Sequence, residues 1–184
     1  MSASIPRIAH EELPAELASF LKPRVERLGY LGEFFQCAAH QPEALLAFLE
    51  LTESLRHALP ENLTEVVSLT ITTVMENVYE RVQHERLSLQ LGFSKEWIRD
   101  VLRVTPDAAP ELSEDEREVQ RFAIAIFERN GHKTDAELET VIRLIGAPST
   151  IAVLMLVGRY MAHALIVNTL NLAPPIPSPI AEAL

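Results

Sequence analysis

This 184-residue chain is expected to form a single all-α domain of about seven helices. Three observations support that expectation. Apolar residues recur at helical spacing, and no run alternates in the manner of a strand. Glycine is scarce, at six, and aromatic residues make up only 6% of the chain, which disfavours a turn-rich β fold. Prolines and capping residues punctuate the sequence at helix-length intervals. The length is enough for one sizeable core.

The elements follow in order. Residues 1–13 read as a loosely ordered arm. Pro14 opens a helix to about Leu28, kinked or broken at Pro23 by the missing donor. Gly29 and Gly32 then bracket Tyr30-Leu31. A short helix from Glu33 to His40 ends before Pro42, which suits the first turn of the next. That helix carries Leu45, Leu46, Phe48, Leu49, Leu51 and Leu55 towards Leu59. After Pro60, Asn62 is placed to cap a central segment reaching about Leu91, with Gly92 at its C-terminus. Ser94 caps a short helix holding Trp97, Ile98, Val101 and Leu102, and Thr105 to Glu111 is a loop. Ser113 with Glu116, and Thr134 with Glu137, match the capping-box pattern and start helices over 113–129 and 134–145. Gly146 and Pro148 introduce a long apolar helix over 148–172. The proline-rich residues 173–184 are expected to be extended.

Composition narrows the function classes. A formal net charge of −10, with no Lys/Arg stripe, argues against nucleic acid as a partner. One cysteine, Cys37, leaves no intrachain disulfide framework. The N-terminus lacks the blocks of a signal peptide. Arg159, His163 and Asn168 interrupt the apolar run 148–172, and a mid-bilayer Arg costs about 2.5–3.5 kcal/mol even on insertion scales. The run is therefore read as a buried core helix with no membrane partner, and the protein as cytoplasmic.

The chain is organised around Asn62 to Gly92. Leu63, Val66, Val67, Ile71, Val74, Val78 and Val82 lie at helical spacing, so one side should be buried. Glu80 and His84 are four residues apart and project from one face, an acid beside an imidazole. Plainer readings stand beside this one. Glu65 follows Asn62 by three and would complete an N-terminal capping box. Glu80 with Arg81, and His84 with Glu85, could be ion pairs on a solvated face. Glu76, Glu80 and His84 have i, i+4, i+8 metal-ligand spacing but no further donor of known position. Cys37 reads as core packing, and His163, near Arg159 and Tyr160, as a satisfied buried histidine.

The order of Leu59-Pro60-Glu61-Asn62-Leu63-Thr64-Glu65, Asn77-Val78-Tyr79-Glu80-Arg81-Val82-Gln83-His84 and Leu91-Gly92-Phe93-Ser94 resembles the carboxymuconolactone decarboxylase and alkylhydroperoxidase D family. Val157-Gly158-Arg159-Tyr160 and Asn168-Thr-Leu extend the resemblance, which covers roughly residues 40–172. It implies an all-α fold that assembles as a homo-oligomer. In the redox branch a Cys-x-x-Cys pair, helped by a Glu and a His, performs peroxide chemistry. Asn77 and Glu80 stand at the two thiol positions, so that cycle lacks its nucleophile and its resolving thiol.

The resemblance then implies the decarboxylase-like alternative: a cofactor-free, metal-free acid–base catalyst, lyase-type, on a small organic acid or lactone. His84 is the expected proton shuttle, oriented by Glu80 or Glu65. Tyr79, Asn77 and Arg81 are the expected substrate-binding residues, Arg81 standing where the family often has Trp. The partners expected are a small molecule and further copies of the chain, as a dimer, trimer or hexamer. A non-catalytic binding or structural member is the alternative, and a metal-dependent enzyme a weaker one. Geometry poses one difficulty. In a single straight helix Glu65 and Glu80 would lie about 22 Å apart. Either the segment breaks, around Thr70-Thr73 or near Asn77, or another subunit supplies Glu65.

Overall fold

The computed structural model describes residues 5–180. It is all-α, as expected, with no strand among those residues. Eight helices follow one another: α1 (Ala15–Leu28), α2 (Glu33–Ala38), α3 (Pro42–Ala58), α4 (Glu61–Val74), α5 (Val78–Gln90), α6 (Lys95–Leu102), α7 (Glu114–Arg129) and α8 (Asp135–Thr169). Single 3-10 turns lie at His10–Glu12 and Pro106–Ala108. Residues 5–13 run along α2, where Ile8 N–H donates to the Gln36 carbonyl and Arg7 pairs with Glu33. Pro23 sits inside a continuous α1, so no break occurs there.

The core is built around α4, which packs against α5, α6, α7 and α8. Every residue from Leu63 to Thr72 is buried. A helix buried on all sides needs its polar side chains satisfied from within. Ser68 and Thr72 do this by donating to the carbonyls of Thr64 and Ser68, at 2.6 and 2.7 Å. Gln120, on α7, donates to the Thr70 hydroxyl at 3.2 Å and to the Val101 carbonyl at 2.8 Å. Leu69, Ile71, Val66 and Val67 are fully enclosed, and each contributes about 1.5–3 kcal/mol by its removal from water.

The central segment is two helices. Glu76 adopts a left-handed conformation (φ 54°), and Asn77 N–H returns to the Thr72 carbonyl at 2.8 Å. Asn77 then caps α5, its side-chain oxygen accepting from Glu80 N–H at 3.2 Å. The chain folds back, and α5 lies beside α4. This splits the expected 62–91 segment in two, while the expected 134–145 and 148–172 helices both fall within α8, which leaves eight helices among the described residues. It also removes the metal-ligand spacing of Glu76, Glu80 and His84, because exposed Glu76 lies outside α5.

Other local expectations were corrected by the packing. Pro60, not Asn62, occupies the position before α4; Asn62 instead donates to Glu116 at 2.9 Å. Ser94 accepts from Trp97 N–H, and Ser113 with Glu116 forms its capping box, but Thr134 makes no side-chain capping bond. Gly146 takes a conformation open to glycine (φ 78°, ψ 162°) and breaks α8 two residues before Pro148.

By length and composition α8 could cross a bilayer, yet Arg159, Tyr160 and His163 on it are buried against neighbouring helices. Beyond Thr169 the chain is non-helical through residue 180, and Ile180 is buried in the main core. A second, smaller core gathers Leu17, Leu21, Phe34, Leu49 and Tyr79 under α1, α2 and α3. Tyr160 belongs to the first core and Tyr79 to the second. Both line a cavity where the two meet.

Candidate functional site

Because α5 folds back on α4, a residue near the start of one faces residues in the other. Glu65, only 2% exposed, accepts from Ser88 at 3.0 Å and contacts His84 Nδ1 at 2.9 Å through the same carboxylate oxygen. The capping role for Glu65 is therefore replaced by this buried one. On the other side of the ring, His84 Nε2 lies 2.8 Å from the Tyr160 hydroxyl. The two rings meet edge to face, their centroids 5.2 Å apart. In the charged imidazole that the Glu65 carboxylate favours, Nδ1–H donates to Glu65 and Nε2–H donates to the Tyr160 oxygen, leaving Tyr160 O–H free.

Glu80 lies beside this chain. Arg159 Nη1 pairs with its Oε1 at 3.2 Å, and His84 Nε2 stands 3.8 Å from the same oxygen. Its other oxygen faces His163 Nε2 at 3.6 Å. The solvated pair with Arg81 does not form. Arg159 also donates to Thr52 at 3.0 Å and lies over the rings of Phe48 and Tyr160. Asn77 fixes the His163 tautomer. Its oxygen is occupied by the α5 cap, so its amide N–H donates to His163 Nδ1 at 3.1 Å. The His163 proton is left on Nε2, towards Glu80.

The environment shifts the titration of these groups. Burial alone would raise Glu80, but His163, His84 and Arg159 outweigh it and hold the carboxyl well below its ordinary range. Burial would lower His84, yet the Glu65 carboxylate reverses the effect, and the imidazole sits well above its ordinary value. His163 goes the other way: burial, with the Arg159 charge nearby, lowers it to about 4 despite Glu80. One histidine is thus biased towards the charged form and the other towards the neutral form. Burial pushes Tyr79 up to about 12.

These groups surround a cavity of about 110 Å³. Tyr79, Glu80, His84, Arg159, Tyr160 and His163 form its buried side, and Arg24, Arg27, Tyr30 and Arg56 lie towards solvent. Gly32 lets the wall close, since a Cβ there would meet the Tyr79 hydroxyl at 2.8 Å. Of the residues expected from the sequence, Tyr79, Glu80 and His84 line the cavity. Glu65 stands behind His84, and Asn77 acts through the cap and His163. Arg81 is not a lining residue; it pairs with buried Glu85 at 3.3 Å.

Sequence reasoning named Arg159 and Tyr160 only within the resemblance and beside His163, without assigning them to the site, and took His163 as a satisfied core residue. Their signal was there: three polar side chains within five residues of an apolar helix, each costly to bury without partners. Cys37 is 4% exposed within the second core, its thiol raised by burial, and does not line the cavity. Among the described residues, no group of three or more His, Cys, Asp or Glu is arranged to hold a metal ion.

No family model matches this chain, and no curated protein matches it by sequence. Solved structures do. One is described as an alkylhydroperoxidase AhpD core, an uncharacterised peroxidase-related protein from Ralstonia eutropha; it superposes with a TM-score of 0.81 at 16% identity, over 94% of each chain. A debrominase, Bmp8, as a cysteine-to-alanine variant holding 2,3,4-tribromopyrrole, superposes with a TM-score of 0.80 at 12% identity, over 94% of this chain and 92% of that one. A putative antioxidant defence protein AhpD from Agrobacterium tumefaciens gives 0.70 at 18% identity, over 76% of this chain and 96% of its own. At such identities the likeness is one of architecture, and it agrees with the order of motifs read from the sequence: this chain has the alkylhydroperoxidase D-like fold.

Proposed function

We propose that this chain is a thiol-independent relative of the carboxymuconolactone decarboxylase and alkylhydroperoxidase D family. In this reading it is an acid–base catalyst, lyase-type, acting on a small organic acid or lactone. The observation that carries the proposal is the buried Glu65–His84–Tyr160 chain opening on a cavity. Glu65 holds the imidazole in one orientation, and Tyr160 O–H is the proton donor facing the substrate. When a C–C bond to a carboxylate breaks, its electron pair stays on the substrate carbon. That carbon then takes a proton from Tyr160, which recovers one from Nε2–H of the charged His84, and the neutral imidazole is reprotonated from solvent after CO₂ leaves. The Arg159 guanidinium lies where it can offset negative charge developing on a substrate oxygen. A dithiol peroxide cycle does not fit this reading, because the chain has one cysteine, Cys37, which does not line the cavity, and the resemblance sets Asn77 and Glu80 at the dithiol positions.

The same reading makes the protein a homo-oligomer. Ile151, Met155, Leu165 and Ile166 leave an exposed apolar stripe along α8 that supports it.

The test is turnover of a panel of lactone acids, followed by CO₂ release and by loss of substrate absorbance. His84→Ala and Tyr160→Phe are each expected to lose about 10²–10⁴-fold in rate, the usual worth of a positioned acid or base. Equal turnover by His84→Ala would remove the proton-shuttle role. No turnover of any member by the wild type would favour a non-catalytic binding protein.

A further inference from the structure

The outer wall of the cavity carries a charge pattern that the proton chain does not use. Four guanidinium groups line the cavity, those of Arg24, Arg27, Arg56 and Arg159, against one carboxylate, Glu80. This occurs in a chain whose formal net charge is −10. Arg159 is already committed to Glu80 and Thr52. Of the remaining three, Arg24 and Arg56 share one weak counter-ion, and Arg27 makes no ion pair among the described residues. Glu53 sits 3.4 Å from Arg24 Nη2 and 3.6 Å from Arg56 Nη1, long and partly exposed contacts that contribute little. Burial, with Arg159 and Arg27 close by, holds Arg24 below the ordinary arginine value even with Glu80 and Glu53 near. A second observation points the same way. Tyr30 lines the cavity with part of its side chain, and its hydroxyl is enclosed beside it with no hydrogen-bond partner, a condition that buried hydroxyls rarely tolerate.

We infer that Arg24, Arg27 and Arg56, with the Tyr30 hydroxyl, form a subsite for the carboxylate of a small substrate, and that Glu53 is the internal counter-ion this carboxylate displaces. A planar carboxylate matches the paired N–H groups of guanidinium and accepts from the tyrosine as well. Held there, the substrate carboxylate points its remaining atoms inward to Tyr160, His84 and Arg159. The inference rests on reading this cavity as the substrate site. It adds a recognition group distinct from the reacting groups.

Binding tests it without any need for turnover. Calorimetric titration would compare 2-furoate with its neutral isostere 2-furamide, on wild type and on variants, at low and raised ionic strength. Furoate should bind at least ten-fold tighter than furamide, and its advantage should shrink as salt rises. Arg24→Ala and Arg56→Ala should each weaken furoate about ten-fold while leaving furamide unchanged, and Arg24→Lys should restore part of the loss. Glu53→Gln should tighten furoate several-fold, a change of sign that a merely structural role would not give. Equal affinities for furoate and furamide, no measurable furoate binding, or arginine variants that bind furoate normally would each overturn the inference. Inorganic phosphate binding tighter than furoate would overturn its assignment to carboxylates.

The two readings fail separately. Arginine-dependent furoate binding without turnover of any lactone acid leaves the subsite and removes the lyase. His84-dependent turnover with no preference for furoate over furamide does the reverse.

Discussion

His84 Nδ1 and Glu65 Oε2 lie 2.9 Å apart, although the two residues are nineteen positions apart in the chain. Along one continuous helix the separation would be about 28 Å. The left-handed turn at Glu76 closes that gap. It places an acid, an imidazole and a tyrosine in line within the protein interior, where a hydrogen-bonded charge is sensitive to the loss of either partner.

Removing one partner should therefore cost more than the pair is worth. Glu65→Ala leaves the His84 ring and the Ser88 hydroxyl without their acceptor and is expected to destabilise by about 3 kcal/mol. Glu65→Gln keeps an acceptor oxygen and should cost less. Urea denaturation of the two variants checks the order. An alanine variant as stable as the glutamine variant would show that the pair is solvated.

The two histidines should give stability opposite dependences on pH. His84 is raised above its unfolded value, so its contribution is complete below about 6.5 and is lost as pH rises through the folded value. His163 is depressed to about 4. The unfolded chain therefore takes up that proton first as pH falls from 6.5, and about 3 kcal/mol is lost on reaching pH 4. Glu80 is held below its ordinary range, and its contribution, present above about 4.5, is lost as pH falls further, through the folded value. Unfolding free energy should thus peak between about pH 6 and 7. His163→Gln should flatten the acid limb and His84→Gln the alkaline one. A profile unchanged by either substitution would contradict these assignments.

Asn77→Ala should be damaging out of proportion to the size of the side chain. It removes the α5 cap, worth about 1 kcal/mol, and leaves buried His163 Nδ1 unpaired, at about 1–3 kcal/mol more. A loss of about 2–4 kcal/mol in urea is expected. Asn77→Asp should keep the cap but, lacking the amide donor, bring a second acceptor against Nδ1. Its pH profile should then show His163 titrating higher. A loss below 1 kcal/mol for the alanine variant would mean that the cap and the histidine contact are dispensable.

The α8 stripe provides a test of assembly. Leu165, 60% exposed, and Ile151, 55% exposed, stand on the outer surface of the helix. Leu165→Glu should leave the helix content unchanged by circular dichroism. In sedimentation velocity it should shift the protein to a smaller species. A wild type that already sediments as a monomer at micromolar concentration would remove the proposed oligomer.

How much of this was legible in the sequence depended on the kind of signal. Helices whose ends carry glycine, proline or a serine cap were placed within a few residues, as at Ser94, Ser113 and Gly146. The break inside the central segment lacks all of these. A left-handed glutamate is uncommon, and nothing about Glu76 itself advertises one. The readable trace lay one residue on, where Asn77 precedes Glu80 by three, the spacing of an N-cap. The Glu80 and His84 pairing followed from helical spacing alone, and both reach the cavity. Glu65, Arg159, Tyr160 and His163 join them through tertiary packing, which spacing along one helix cannot report. Arg81 was misplaced for the same reason: it is a neighbour of Glu80 in sequence but turns to Glu85.

The left-handed residue at Glu76 also constrains how this chain can be altered. By helix propensity alone, replacing it with alanine or leucine would be an improvement, since it lies in the short turn between two helices. Such a change would reward a continuous rod of about thirty residues, some 45 Å long. In that rod the acid and its imidazole would stand at opposite ends. At this one peptide, a gain in local order and the survival of the buried Glu65–His84–Tyr160 chain pull in contrary directions, so optimising the helices one at a time would tend to disassemble what they hold together.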